Sequence, residues 1–359
     1  MGTPSDENHG EACGRAARPA TNRPVTSSLL SSVLAQEIAV ATLRRALEND
    51  RVHHAYLFDG PEGVGKGLAA FGLAQALVCE HRGVDLPKSD ACGTCRACVR
   101  AVPREDTRRP VHPDVIVIER GLYDPAAIGR RTQETQDISI DQVRTLVLAR
   151  AAFAPHEGRA KVFIVRRAEE LSTSAANALL KTLEEPNDKT HFILLSSQPD
   201  ALLSTIRSRT QRIRFAALPH AVVTKLLVAR GTDAFRADEI ARLSGGSMQS
   251  ALGLADDDAS AGRAAFVKRA IEAIDAATLG PALDLAEDAK KDKGELGTKL
   301  AALASALASI ACANASSASR DADAAAARVQ LALMAMRQLD GNASAQLVVE
   351  SLLVRMRSA

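Results

Sequence analysis

The sequence predicts an α/β fold: a parallel-sheet domain built around a phosphate loop, followed by an all-helical remainder. Three observations predict it. Strand-like apolar runs alternate with helical patterns over residues 27–215. The stretch GPEGVGKG, Gly60 to Gly67, stands between a strand and a helix. Beyond Pro219 the strand signals stop and helical spacing takes over.

The elements follow in order. Residues 1–26 are polar, lack an apolar core and read as a disordered tail. SSLLSSVLAQEIAVATLRRALEND (27–50) has helical spacing. HHAYLFDG (53–60) is a strand feeding the glycine turn, and a helix (66–79) starts inside that turn. PDVIVIE (113–119) is the continuous apolar run of a doubly covered strand. Residues 120–137 are polar and aperiodic, an exposed loop. A helix over 139–154 takes Ser139 or Asp141 as its cap. KVFIV (161–165), THFILLSS (190–197) and QRIRF (211–215) are strands. STSAANALLKTLEEP (172–186) is a helix stopped by Pro186. DDDAS (256–260) reads as a hinge, with helices before and after it.

Composition narrows the function classes. The 359 residues suggest two or three domains. Charge nearly cancels, 45 Lys and Arg against 43 Asp and Glu, which argues against a strongly basic nucleic-acid-coating surface. There is no Trp and only 2 Tyr, so base-stacking platforms are scarce. No run of about 18 apolar residues occurs, so no membrane span is expected and the cytoplasm is the default location.

The phosphate loop is incomplete. Gly60, Gly63 and Gly65 let backbone N–H groups turn toward phosphate oxygens, and Lys66 reaches the outer phosphates. Gly67 stands where a Ser or Thr hydroxyl would ligate Mg²⁺. At the end of the strand 161–165, where two acids would hold metal and orient water, stand Arg166 and Arg167. A guanidinium binds no cation and keeps its charge. Glu169 and Glu170 come three to four residues later and are expected to point away. Hydrolysis in cis should be absent or very slow, and ATP binding stays an open question.

Cys79, Cys92, Cys95 and Cys98 follow a C-x₁₂-C-x₂-C-x₂-C spacing, with turn residues in CGTCRAC. Four soft thiolates at this spacing suit a closed, structural, tetrahedral Zn²⁺. An iron–sulfur cluster and reactive thiols are the competing readings. His81 lies nearby but is superfluous to a complete shell. Cys13 and Cys312 stand alone.

HHAYLFDGPEGVGKG, HPDVIVIE, ISIDQVR, KVFIVRRAEELSTSAANALLKTLEEP and STIRSRTQRIRF together resemble the AAA+ clamp-loader subunits of bacterial DNA polymerase III. The resemblance runs from about residue 27 to 255; the rest is consistent with the family's collar but carries no motif. It implies an AAA+ module over 27–215 with the zinc module at 79–98, a helical lid over 216–258 and a collar over 259–359. The defective site is similar to that of delta-prime-type members. Such members are structural subunits of a hetero-pentamer with gamma/tau and delta subunits, which opens the sliding clamp and seats it on primed DNA. The alternative is an active gamma/tau-like ATPase, whose phosphate loop ends in Thr and whose strand ends in Asp-Glu. The family's S-R-C motif matches Ser208, Arg209 and Thr210, with Thr in place of Cys, and implies that Arg209 acts in trans as an arginine finger. Gln249 stands where active relatives carry an arginine that senses the γ-phosphate.

Overall fold

A computed structural model describes residues 28–129, 137–157, 159–291, 295–314, 320–340 and 343–358. The N-terminal tail with Cys13 and part of the 120–137 segment fall outside the described residues.

Five parallel strands form the sheet: β1 (Ala55–Asp59), β2 (Val115–Ile118), β3 (Lys161–Val165), β4 (Thr190–Ser196) and β5 (Gln211–Arg214), in spatial order β2-β3-β4-β1-β5. This is the parallel sheet around a phosphate loop that the sequence predicts. The interior strands β1 and β3 are buried end to end, and β4 all but His191, which explains their apolar runs. Alternate residues still serve opposite layers. Tyr56, Phe58, Val162, Ile164 and Ile193 face one core, and Leu57, Phe163, Val165, Phe192 and Leu194 the other.

The first core is covered by α1 (Glu37–Glu48), α2 (Lys66–Val78) and the short α3 (Arg96–Ala101). The second is covered by α4 (Ile140–Val143), a π-helical turn at Arg144–Leu148, α5 (Ala149–Ala151), α6 (Thr173–Glu184) and α7 (Ser204–Arg207). Ser139 caps α4 by accepting from the Gln142 amide, and Ser172 caps α6 through Ala175. Buried Lys161 donates to the carbonyls of Arg150, Phe153 and Ala154, satisfying the last carbonyls of that helical run.

Two expectations change. The helix over 27–50 is a 3₁₀ turn at Leu29–Ser32 followed by α1. Gln36 holds the break. Its buried amide donates to Val64 O and Ala216 O and accepts from Ala216 N, joining the entry segment to the phosphate loop. The segment 120–137 is not simply an exposed loop. Pro125–Ile128 form a 3₁₀ turn with Ile128 buried, and the Tyr123 hydroxyl donates to Val117 O.

Helices α8 (His220–Val228), α9 (Ala234–Leu243) and α10 (Met248–Ala255) pack onto the first core through Val223, Leu227, Ile240 and Ala251. Within DDDAS, Asp256 alone separates α10 from α11 (Asp257–Asp275), with extended backbone angles. With α12 (Gly280–Lys291), α13 (Leu296–Asn314), α14 (Arg320–Asp340) and α15 (Ala345–Ser358), α11 builds a third core of Leu and Ala side chains. Among the described residues, no helix is long and apolar enough to cross a membrane.

Candidate functional site

The phosphate loop joins β1 to α2. Gly60, Gly63 and Gly65 all have positive φ. At Gly63 the requirement is steric as well: a Cβ there would lie 2.3 Å from the backbone nitrogen of Gln249. The start of α10 at Gln249 therefore packs directly on the loop. Lys66 is buried, and its ammonium donates to the carbonyls of Gly60 and, at 2.6 Å, Pro61. Burial lowers its pKa, against the pull of Glu62, Glu169 and Asp59. At Gly67, nothing lies within 4 Å of where a Cβ would be. The site has room for the missing hydroxyl and lacks only the atoms.

The loop faces a cavity of about 620 Å³ closed by the ends of β2, β3 and β4. Arg166 and Arg167 line it, as placed from sequence. The Arg166 guanidinium lies 5.3 Å from the centre of the Phe71 ring and donates to Glu119 at 3.0 Å. Arg108 reaches the other Glu119 oxygen at 2.7 Å. Arg167 has left-handed backbone angles, φ 49° and ψ 59°, a conformation that costs a non-glycine residue on the order of 1 kcal/mol. Its side chain pairs with Glu62 of the phosphate loop at 3.5 Å and with Glu170 at 3.4 Å.

One expectation is overturned here. Glu169 does not point away; it lines the cavity. Its Oε1 accepts from the Ser197 amide at 3.1 Å and the Ser197 hydroxyl at 2.7 Å, while Oε2 is buried without a hydrogen-bond partner. The reason is the left-handed Arg167 and the 3₁₀ turn Ala168–Glu170, which rotate the chain by a step that an extended strand would not make. Glu170 does turn aside, to Arg120 and Arg167, and burial raises its pKa.

Positions 67 and 166–167, where side chains usually hold Mg²⁺, carry no side-chain oxygen, and Glu119 is held by two arginines and Glu62 by Arg167; Glu169 gives one oxygen to Ser197 and keeps Oε2 without a hydrogen-bond partner. At the end of β1, Asp59 is buried, with one oxygen held by Arg212.

Arg209 lies at the other end of the sheet. It precedes β5, which starts with Gln211 opposite Tyr56, near the start of β1. The phosphate loop leaves the far end of β1, five residues or roughly 16 Å along the strand. The Arg209 guanidinium donates to Thr205 O at 3.0 Å and to the Ser208 hydroxyl at 3.3 Å, and meets Glu184 at 2.5 Å. It borders a cleft of about 630 Å³ with His53, His54, Leu183 and Glu184. His53 stacks on His54, and burial lowers the pKa of His54 and of neighbouring His191.

The four predicted cysteines come together. Their sulfurs all lie within 4.8 Å of one another, with Cys79 to Cys92 at 3.7 Å and Cys92 to Cys98 at 3.8 Å. A tetrahedral Zn–S bond of about 2.3 Å puts ligand sulfurs about 3.8 Å apart. Amides of Cys92, Cys95 and Cys98 point at the sulfurs of Cys79, Cys92 and Cys95, which stabilises thiolates. Burial opposes ionisation of Cys92, yet the amides of Cys95 and Thr94 bring that thiol down to about 6. Burial pushes the Cys79 and Cys98 thiols up. The donor set fits Zn²⁺. His81 is outside it, bonded to Asp85 at 2.8 Å. Gln75, fully buried on α2, ties the module down by accepting from the Leu29 amide and donating to Cys98 O.

A family model described as DNA polymerase III, delta subunit, matches residues 35–219. The chain belongs to this family. The match covers the sheet domain with its phosphate loop and cysteine module and stops before the C-terminal helices. Among curated relatives, the gamma/tau subunit of Mycobacterium tuberculosis DNA polymerase III is 37% identical over 55% of this chain and 30% of its own length. The delta-prime subunit of Bacillus subtilis is 33% identical over 52% of this chain and 49% of its own length. The chain thus spans less than half the length of both. A solved DNA polymerase III gamma-subunit-related protein from Thermotoga maritima aligns over 90% of this chain and 99% of its own, at 16% identity and a TM-score of 0.47.

Proposed function

We propose that this protein is the delta-prime-type subunit of a DNA polymerase III clamp loader. In that role it hydrolyses no ATP itself and supplies Arg209 to the nucleotide site of a neighbouring subunit. The observation that carries the reading is the separation of the two halves of the chemistry. The phosphate loop and Arg209 occupy opposite ends of one sheet, so Arg209 cannot serve its own loop. A cation at the edge of an open cleft suits a site completed by a second subunit, and it would stabilise charge developing on a phosphoryl group there.

The remaining assignments follow from the same reading. α8–α10 form the lid, the helices after Asp256 the collar that joins the ring with gamma/tau and delta subunits, and the ring seats the sliding clamp on primed DNA in the cytoplasm. Cys79, Cys92, Cys95 and Cys98 hold one structural Zn²⁺ that rigidifies the segment after α2.

One observation favours the alternative, an active gamma/tau-like ATPase: Glu169 faces the phosphate cavity. Its Oε1 is held by Ser197, however, and the other acids of the lining, Glu62 and Glu119, are paired with arginines.

Arg209→Ala tests the reading. The variant should fold normally and lower the DNA-stimulated ATPase of the reconstituted complex by the share of the one site it serves, where the loss should be about 10³-fold, the scale of trans arginine fingers. Wild-type rates with Arg209→Ala would retire the assignment.

A further inference from the structure

We propose that the phosphate cavity binds a di- or triphosphate group without a divalent cation, Arg166 and Arg167 supplying the charge that Mg²⁺ would otherwise bring. This rests on the reading that the pocket cannot hold metal.

The cavity retains most of what phosphates need. The glycine turn keeps its positive-φ conformation, and the 13-residue helix α2 begins at Lys66, so loop amides and a helix N-terminus face the space. The Lys66 ammonium is buried at 8% exposure and donates to main-chain carbonyls; among the described residues no carboxylate lies at ion-pair distance. Glu62, Glu169 and Asp59 act on it only at longer range, and an anion entering the cavity would meet it directly.

The lining also carries an unusual charge set. Arg108, Arg166 and Arg167 join Lys66, against the carboxylates of Glu62, Glu119 and Glu169. A metal-dependent phosphate loop sets one lysine and a divalent cation against two acids. Here fixed guanidinium groups replace the mobile ion and leave the same sign of excess charge. Guanidinium forks bind phosphate in bidentate fashion, which a point charge cannot do.

Arg167 adds independent support. A non-glycine residue in the left-handed region persists only where its surroundings demand it. Here that conformation brings the half-exposed side chain to the cavity rim, 3.5 Å from Glu62 of the phosphate loop. Glu119 has the opposite effect. It holds both Arg108 and Arg166, so it competes with any incoming anion for them.

The test uses the full-length protein with sodium tripolyphosphate and, separately, ATP, read by calorimetry and by the shift in thermal unfolding. Buffers are depleted of divalent ions by resin, because a soluble chelator would strip the cysteine site. Tripolyphosphate should bind without added Mg²⁺, and excess Mg²⁺ should weaken binding about tenfold by complexing the ligand. Arg166→Gln/Arg167→Gln should lose about tenfold or more, Arg166→Lys/Arg167→Lys should keep part of the affinity, and Glu119→Gln should tighten it. Circular dichroism and zinc content report whether each variant is folded. ATP binding like tripolyphosphate means the site reads phosphates alone; tighter ATP binding means the nucleoside adds contacts, and both support the proposal. Absent binding, or binding indifferent to the double glutamine variant, overturns it and leaves the Arg209 assignment standing. Binding that requires Mg²⁺ and leads to hydrolysis overturns both.

Discussion

The two ends of helix α2 make opposite use of metal chemistry. Its first turn, at Lys66, opens into a cavity where glycine and arginines stand at 67, 166 and 167, the positions from which, on the proposed reading, Mg²⁺ would be held. Its last residue hands over to Cys79, the first of four sulfurs already at zinc-ligand spacing. Thirteen residues, about 20 Å of helix, separate them. On the proposed reading, the same framework carries a cysteine cluster that fits a metal at one end and a phosphate loop that has lost one at the other. A fold keeps the shape of a site through its glycines and helix start, while the chemistry depends on a few side chains that can change without disturbing that shape.

The sharpest way to break the contrast is at the sulfur end. Cys92→Ser/Cys95→Ser should bring bound zinc from one equivalent to none and cost several kcal/mol of stability, since structural zinc contributes directly to folding. Metal analysis and thermal unfolding read the two effects; full stability in the metal-free variant would mean the sulfurs are not structural. Next in size is Gln75→Ala. It leaves the Leu29 amide and the Cys98 carbonyl unpartnered in the interior and should cost about 1–3 kcal/mol by denaturant unfolding.

Acid should also divide the two ends. His112 is buried beside α3, its amide bonded to Arg100 O, and burial lowers its pKa although Glu157 stands 3.0 Å away. The unfolded chain takes up a proton near pH 6.5 that the folded chain resists, so stability is complete above that pH and falls as pH drops below it. Replacing His112 with Gln should flatten the slope of unfolding midpoint against pH, with zinc content checked at each pH. The smallest effect belongs to the phosphate end. Gly67→Thr meets open space and should change stability by less than about 0.5 kcal/mol, yet it should not restore Mg²⁺ binding, because one hydroxyl does not offset two arginines.

Most of the fold was legible because strands buried on both faces read as apolar runs, and their bounds in the structure fall within a residue or two of those runs. The phosphate loop and the cysteines were legible because their chemistry depends on spacing along the chain. Glu169 was not. Two adjacent acids follow β3, and which one enters the cavity is decided by the left-handed Arg167, a conformation that no glycine or asparagine announces. The break at Gln36 was equally hidden. Its helical spacing is intact, and only partners 28 and 180 residues away draw its side chain out of register. The distance between Arg209 and the phosphate loop likewise became visible only with the strand order.

The account stands or falls on ATP turnover by the purified chain alone, measured with Mg²⁺ and primed DNA beside a Lys66→Ala variant. It predicts that the two proteins are indistinguishable from background. Turnover by the wild-type chain that disappears in Lys66→Ala would show that the pocket retains a working metal after all.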